Sequence, residues 1–201
     1  MPKQGLLVII SSPSGNGKDT VINALLKIIP NSVRLVTTTS RPPRPGNVEG
    51  VDYYFISKDE FENKIKNNEF LEYNFYAGNY YGTEKSRLED LLNTNSVVFS
   101  AIEVNGKRNL DKVGVKNLSI FLLPDSLEIL KDRIRKRGGV SEELIKERMK
   151  IAEKEISAAP EYDYQVVNKN GKIEETIDKL AKIINSELTK LQNIDKEPNL
   201  R

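Results

Sequence analysis

The chain contains no cysteine and no histidine among its 201 residues. The first absence excludes disulfides, thiolate zinc sites and thiol nucleophiles. The second removes imidazole from acid–base chemistry and from metal ligation. Any catalysis must therefore use carboxylates, hydroxyls, lysine and arginine. A dominant charge is missing too: 31 basic residues face 29 acidic ones, for a net charge of +2. That balance gives no basis for a nucleic-acid partner. No apolar run is long enough to span a membrane, and the N-terminal "MPKQGLLVIISSPSG" turns glycine-rich where a cleavage site would be expected. Internal repeats and low-complexity tracts are also lacking. A cytoplasmic, soluble protein is expected, without nucleic-acid or membrane partners, as a monomer or homodimer.

What is present begins with a 38% hydrophobic fraction, enough for a real core in a chain of this length. Leu6 to Ile10 is a continuous apolar run, the pattern of a strand buried on both faces. A glycine-rich turn follows it, then "KDTVINALLKII" at helical spacing, ended by Pro30. Similar strand runs recur as "SVVFSAI" and "LSIFLL", each followed by a helical pattern. Strands alternating with helices predict an α/β fold, a parallel sheet wound with helices on both sides.

Between Arg34 and Thr83 the pattern changes. "RLVTTT", "VDYYFIS" and "FLEYNFYAGNYYGT" carry β-branched and aromatic residues around turns, which predicts a small mixed-β insertion. One helix interrupts it, opened by the capping box of Ser57 and Glu60. Two basic helices, "DSLEILKDRIRKRGG" and "SEELIKERMKIAEKEISAA", then flank Gly138 and Gly139 and suggest a hinged hairpin that closes over a ligand. "DYQVV" is expected to add an edge strand. "GKIEETIDKLAKIINSELTKL" is expected to form the last amphipathic helix, ahead of a polar tail.

The stretch "SSPSGNGKDT" has the chemistry of a phosphate-binding loop. Gly15 and Gly17 let backbone N–H groups converge on an anion, Lys18 adds a mobile cation, and the next helix contributes its positive end. The pattern G-x-x-x-x-G-K-[ST] is broken at two places, Ser12 for glycine and Asp19 for a hydroxyl. A carboxylate ~4 Å from a phosphate charge is repelled by ~4 kcal/mol at an effective dielectric of 20. Helix-dipole stabilisation of a first-turn acid, ~0.3–1 kcal/mol, does not offset that. Asp19 must turn away or face a cation.

A second anion site is suggested by "TTTSRPPRPGNVEGVDYYF". Arg41 and Arg44 offer guanidinium forks for a phosphate dianion, in a segment stiffened by prolines. Glu72, Tyr81 and Thr83 follow in "NNEFLEYNFYAGNYYGT". A carboxylate with hydroxyls beside it suits guanine, whose N1–H and amino group donate while O6 accepts.

From about Leu6 to the last helix the chain resembles guanylate kinases, most specifically over the two stretches just quoted. The resemblance implies a P-loop kinase fold with a core (1–33, 84–124 and 160–190), a GMP-binding region (34–83), a helical lid (125–159) and a polar tail (191–201). It implies transfer of the ATP γ-phosphate to GMP, with dGMP as a further acceptor, and Mg2+ as cofactor. Ser14, Gly15, Asn16, Gly17, Lys18, Asp19, Thr20 and Asn168 match the ATP site. Arg41, Arg44, Tyr53 and Tyr81 would hold the GMP phosphate. Thr37, Glu72 and Thr83 would read guanine, Glu103 also matches the GMP site, and Lys18, Arg133, Arg137 and Arg148 would serve catalysis.

The chain departs from the family's pattern in "SAIEVNG", where Ala101 replaces the first of two acids and Glu103 the second. Either Asp19 compensates by orienting Mg2+ or its waters, or the two substitutions are unrelated. Asn47 also stands where the family often has an acid. Two other readings share the fold. A ribose 1,5-bisphosphate phosphokinase fits Asp19 and "VNGKR", but has no need of Arg41, Arg44, Tyr53 and Glu72 together. A non-catalytic binding module would have lost Lys18 and the lid arginines.

Overall fold

The computed structural model describes residues 5–76, 78–136 and 141–194. In chain order the elements are β1 (Leu6–Ser11), α1 (Lys18–Ile28), β2 (Ser32–Arg34), β3 (Thr38–Thr39), β4 (Tyr54–Phe55) and α2 (Lys58–Lys66). There follow β5 (Phe70–Tyr76), β6 (Asn79–Glu84), α3 (Lys85–Thr94), β7 (Val97–Ser100), α4 (Val104–Lys112) and β8 (Leu118–Pro124). The last are α5 (Leu127–Lys136), α6 (Glu142–Ser157), a 3-10 turn at Ala159–Glu161, β9 (Tyr164–Asn168) and α7 (Ile173–Ile194). The strands form a five-stranded central sheet of β1, β2, β7, β8 and β9, and a four-stranded mixed sheet ordered β4-β3-β6-β5. The α/β class expected from the alternating runs is the class observed.

The chain divides into two compact units. One comprises the chain to Ile9 together with Asn31–Asn117, the other Ile10–Pro30 and the chain from Leu118.

In the first unit β7 pairs in parallel with β1 and with β2. Its core joins Leu7, Ile9, Leu35, Val98 and Ile102 to Leu88 and Leu92 of α3 and Leu110 of α4. Each such side chain contributes roughly 1.5–3 kcal/mol on leaving water. The run "RLVTTT" is split between the two sheets. Arg34 pairs with Phe99 in the central sheet, and the Leu35 N–H donates to the Phe99 carbonyl before the chain leaves for β3. Leu35 is 3% exposed, so burial of that one side chain holds the first half of the run to the central sheet.

Both ends of α2 are closed by short-range hydrogen bonds, the first of them at the expected capping box. Ser57 Oγ accepts from the Glu60 N–H at the start. At the far end Asn68 takes φ 57°, and the N–H groups of Asn68 and Glu69 donate to the carbonyls of Ile65 and Lys64. That is a Schellman closure with asparagine in the left-handed position. It leaves Glu69 beside Lys64, 2.9 Å from its ammonium.

In the second unit β9 pairs in parallel with β8 from Ile120↔Tyr164 to Pro124↔Asn168, as an edge strand. Helix α1 buries Val21, Ile22 and Leu25, and α5 packs on α6 through Leu130, Ile134, Ile145 and Ala152. Ser141 Oγ caps α6 by accepting from the Leu144 N–H. Gly138 and Gly139, expected to form a hinge, and Arg137, expected in a lid, lie outside the described residues.

Candidate active site

The mixed sheet has two unlike faces, and a bulge decides which residues each face receives. Strict alternation along "FLEYNFY" would put Phe70 and Glu72 on the same side. In the structure Phe70 pairs with Glu84 but Glu72 pairs with Thr83, so Leu71 is an extra residue in β5. The bulge turns Phe70 to one face, where its ring stacks on Phe61 of α2 at 4.2 Å. It turns Glu72 to the other, where Thr83 Oγ1 donates to it at 2.8 Å. Gly82 lies on the α2 side, and a Cβ there would meet Phe70 Cδ1 at 2.9 Å and Phe61 Cζ at 3.0 Å. Only glycine lets these rings approach the strand.

On the face bearing Glu72 the structure gathers most of the residues matched to the monophosphate. Glu72 is 8% exposed and takes hydrogen bonds from the hydroxyl and N–H of Thr83. Among the described residues no cation is paired with it. Burial pushes its carboxyl above the ordinary range, Thr83 opposes the shift, and the charge of Glu103 adds to it. Glu103 is exposed and stands at the N-terminus of α4. Gly106 brings that helix close, since a Cβ there would lie 3.5 Å from Glu72 Oε2.

Next to this pair runs a chain of contacts ending at the arginines. The Tyr53 and Tyr81 rings meet edge-on at 5.9 Å, and the Arg41 guanidinium lies 5.5 Å from the Tyr53 centroid and 5.8 Å from that of Phe55. Such cation–aromatic contacts hold a guanidinium without consuming its charge. Asn47 Oδ1 accepts from Arg41 Nη2 and from the Arg44 N–H, each at 3.0 Å. A neutral amide thus closes the turn between the two arginines, while the Arg44 side chain is exposed. Asn47 was visible in sequence only as a departure from the family, and its part in shaping this turn comes from the fold. Thr37 is half-buried, and its carbonyl accepts from the Tyr54 N–H.

The second unit holds the residues matched to the triphosphate. Gly15 and Gly17 take φ 88° and 80°, the left-handed region that glycine enters without penalty. Gly17 is the N-cap of α1, so the loop runs directly into the positive end of the helix. Lys18 is half-buried; Ser14, Asp19 and Thr20 are exposed.

Asn16 behaves differently from the rest of the loop. It is fully buried; its Nδ2 donates to the Leu122 carbonyl at 2.9 Å, and its Oδ1 accepts from Arg133 Nη1 at 3.0 Å. Its carbonyl accepts from Asn168 Nδ2 at 2.7 Å, and Asn168 Oδ1 in turn accepts from Thr176. Both asparagine side chains therefore shape the loop. Arg133 also donates to Asn170 Oδ1 at 3.2 Å. Arg148 is half-buried on α6.

A charge cluster that sequence reasoning missed lies on the opposite face of the mixed sheet. Glu84, 7% exposed, accepts from Thr38 Oγ1 and pairs with Lys64 at 3.1 Å and Arg87 at 3.3 Å. Burial pushes its carboxyl up, but Thr38, Lys64 and Arg87 outweigh burial and hold it below the ordinary range. The Arg87 guanidinium lies 3.4 Å from the Tyr54 ring centroid. A glutamate following "YYGT" gave no signal of burial.

The guanylate kinase family model matches residues 4–187. The guanylate kinase of Clostridium tetani is 43% identical over 192 residues, covering 96% of this chain and 91% of the relative. That of Rickettsia conorii is 46% identical, covering 90% and 78%. The crystal structure of guanylate kinase from Anaplasma phagocytophilum superposes with a TM-score of 0.73 at 34% identity, covering 92% of this chain and 87% of that one. No helix among the described residues is long and apolar enough to cross a membrane.

Proposed function

This chain belongs to the guanylate kinase family, and from that premise we propose how its own residues carry the family's reaction. The reaction is transfer of a phosphoryl group from ATP to GMP, giving ADP and GDP. Glu72 accepts the N1–H and amino donors of guanine, with Thr37, Thr83 and Glu103 completing the recognition of the base. Arg41 and Arg44 grip the GMP phosphate, flanked by the Tyr53 and Tyr81 hydroxyls. The observation that carries this reading is Glu72, a buried carboxylate that has no cation partner among the described residues and whose ionisation burial opposes. A ligand offering two N–H donors supplies what the fold withholds.

The acceptor phosphate is already largely anionic near neutrality, its second pKa being about 6, so no general base is needed. The barrier lies in bringing two polyanions into line, which calls for cations and positioning. Lys18 and the loop N–H groups take the ATP phosphates, with Ser14, Gly15, Gly17 and Thr20 around them. Asn16 and Asn168 act by fixing the loop. Arg133, Arg137 and Arg148 neutralise the transferring group. In this assignment residues 34–83 bind GMP, residues 125–159 form a lid, and 1–33, 84–124 and 160–190 make the core.

Among the described residues no group of three or more acidic side chains forms a cage for a metal ion. Magnesium keeps several waters and is held through one or two carboxylates plus substrate phosphates, so a single carboxylate at the start of α1 suits an ion that arrives with ATP. Asp19, directly or through water, would hold it. The ion would supply positive charge to offset that of the ATP phosphates. We place the protein in the cytoplasm, acting on small-molecule substrates as a monomer or homodimer.

A panel of nucleoside monophosphates and ribose 1,5-bisphosphate, each with ATP and Mg2+, tests the assignment through ADP release. Turnover with GMP, and far less with AMP, is expected. Turnover of the sugar phosphate alone would replace the reading with the sugar kinase. Calorimetry showing no ATP binding would leave only a binding module.

A further inference from the structure

We infer that Glu84 is a positioning residue for guanine recognition, holding from behind the two strands whose front carries Thr37, Tyr81 and Thr83. The inference rests on the GMP reading above and adds to it a residue that never touches the nucleotide. Thr83 and Glu84 are consecutive in β6 and so face opposite ways. Thr83 gives its hydroxyl to Glu72; Glu84 takes the hydroxyl of Thr38. Strands β3 and β6 are antiparallel, pairing Thr38↔Gly82 and Thr39↔Tyr81, and β3 contributes only two residues to the ladder. The strands are tied further at the Ser40 end, where the Ser40 N–H and Thr39 Oγ1 donate to the Tyr80 carbonyl, but the end that carries Thr37 and Thr83 lies beyond the paired residues. The side-chain bond between Thr38, 0% exposed, and Glu84 adds a constraint at that end.

The rest of the cluster makes this anchor firm. Lys64 brings α2 to the same carboxylate and also holds Glu69, just ahead of β5. Arg87 carries the contact from α3 to the Tyr54 ring in β4, whose residue pairs with Thr38. All four strands of the sheet and the helices α2 and α3 are thereby tied to one anion. A buried charge with three partners is costly to disturb, because removing it leaves the partners uncompensated.

The test measures KM for GMP and for ATP separately in the full chain. Glu84→Ala is expected to raise the GMP KM about 5- to 30-fold and to leave the ATP KM within about twofold. Glu84→Gln, which keeps an acceptor for Thr38, falls between that and the parent. Thr38→Val removes the same bond from the other side, and combining it with Glu84→Ala should add little more. If Glu84→Ala does not fold, Thr38→Val and Glu84→Gln carry the test. A lowered Tm with an unchanged GMP KM would overturn the inference and leave Glu84 a stability residue. Arg41→Ala, run in parallel, separates the two levels. A raised GMP KM there, without one in the Glu84 and Thr38 variants, rejects the positioning role alone. No rise in any variant rejects the GMP reading itself.

Discussion

Glu72 and Glu84 sit on adjacent strands of one sheet and are equally buried, at 8% and 7% exposure, yet their surroundings differ in kind. Among the described residues Glu72 is held by Thr83, with the charge of Glu103 nearby, and its carboxyl is pushed up. Glu84 has a hydroxyl, an ammonium and a guanidinium, and its carboxyl is held down. The contrast teaches how to tell a recognition group from a structural one. A buried charge that the fold satisfies is an anchor, whereas one left short of partners is poised for a ligand that brings them.

The largest effect that would sharpen the contrast is on substrate binding. Glu72→Gln should raise the GMP KM about 10²-fold or more, because its amide opposes a guanine donor, while the ATP KM stays nearly level. Equal losses for both nucleotides would make Glu72 structural and erase the distinction.

Stability should move in opposite directions. At pH 7 Glu84→Gln is expected to destabilise by about 1–2 kcal/mol, a figure restrained by the partial exposure of Lys64 and Arg87. Glu72→Gln should stabilise by about 1 kcal/mol, since it removes a buried charge and keeps an acceptor for Thr83. Urea unfolding of both variants compares the signs; a shared sign would break the comparison.

Acid separates the two groups again. The raised carboxyl of Glu72 binds its proton more tightly in the folded state, so its stability contribution is full below the ordinary carboxylate value. That contribution is lost as pH rises through the raised value. For Glu84 the sign reverses: its contribution is present above the ordinary value and lost as pH falls through the depressed one. If guanine pairs with the ionised form of Glu72, as proposed, the GMP KM should climb as pH falls through the raised Glu72 value. A flat profile in Glu72→Gln would assign the climb to Glu72.

The smallest effect concerns the arginine turn. Asn47→Ala removes the acceptor shared by the Arg41 side chain and the Arg44 N–H, and should raise the GMP KM about fivefold. An unchanged KM would show that the prolines alone hold the turn.

Much of this was legible in the chain because the features are local. The strand, Gly-x-Gly-Lys and helix occur in order within one short stretch, and Gly15 and Gly17 take the conformations that order requires. Ser57 opens α2 through a hydrogen bond to a residue only three positions away, whereas the closing role of Asn68 emerged only in the structure. Arg41, Arg44, Glu72 and Thr83 stood out by type and spacing. Asn16 was legible only as a loop residue. Its buried amide answers to Leu122 and Arg133, more than a hundred positions distant.

Residue types and short spacings by themselves determined the α/β class, the phosphate loop and the identity of the arginine and carboxylate groups. Tertiary structure alone decided which way those groups face. Period-two alternation would have sent Glu72 to the same side as Phe70. It is the pairing of β5 with β6, with Leu71 bulged out between them, that turns the carboxylate toward Thr83 and away from α2. The reason is physical: a side chain's direction in a strand depends on the register of a ladder closed between residues far apart in sequence, and one extra residue reverses it.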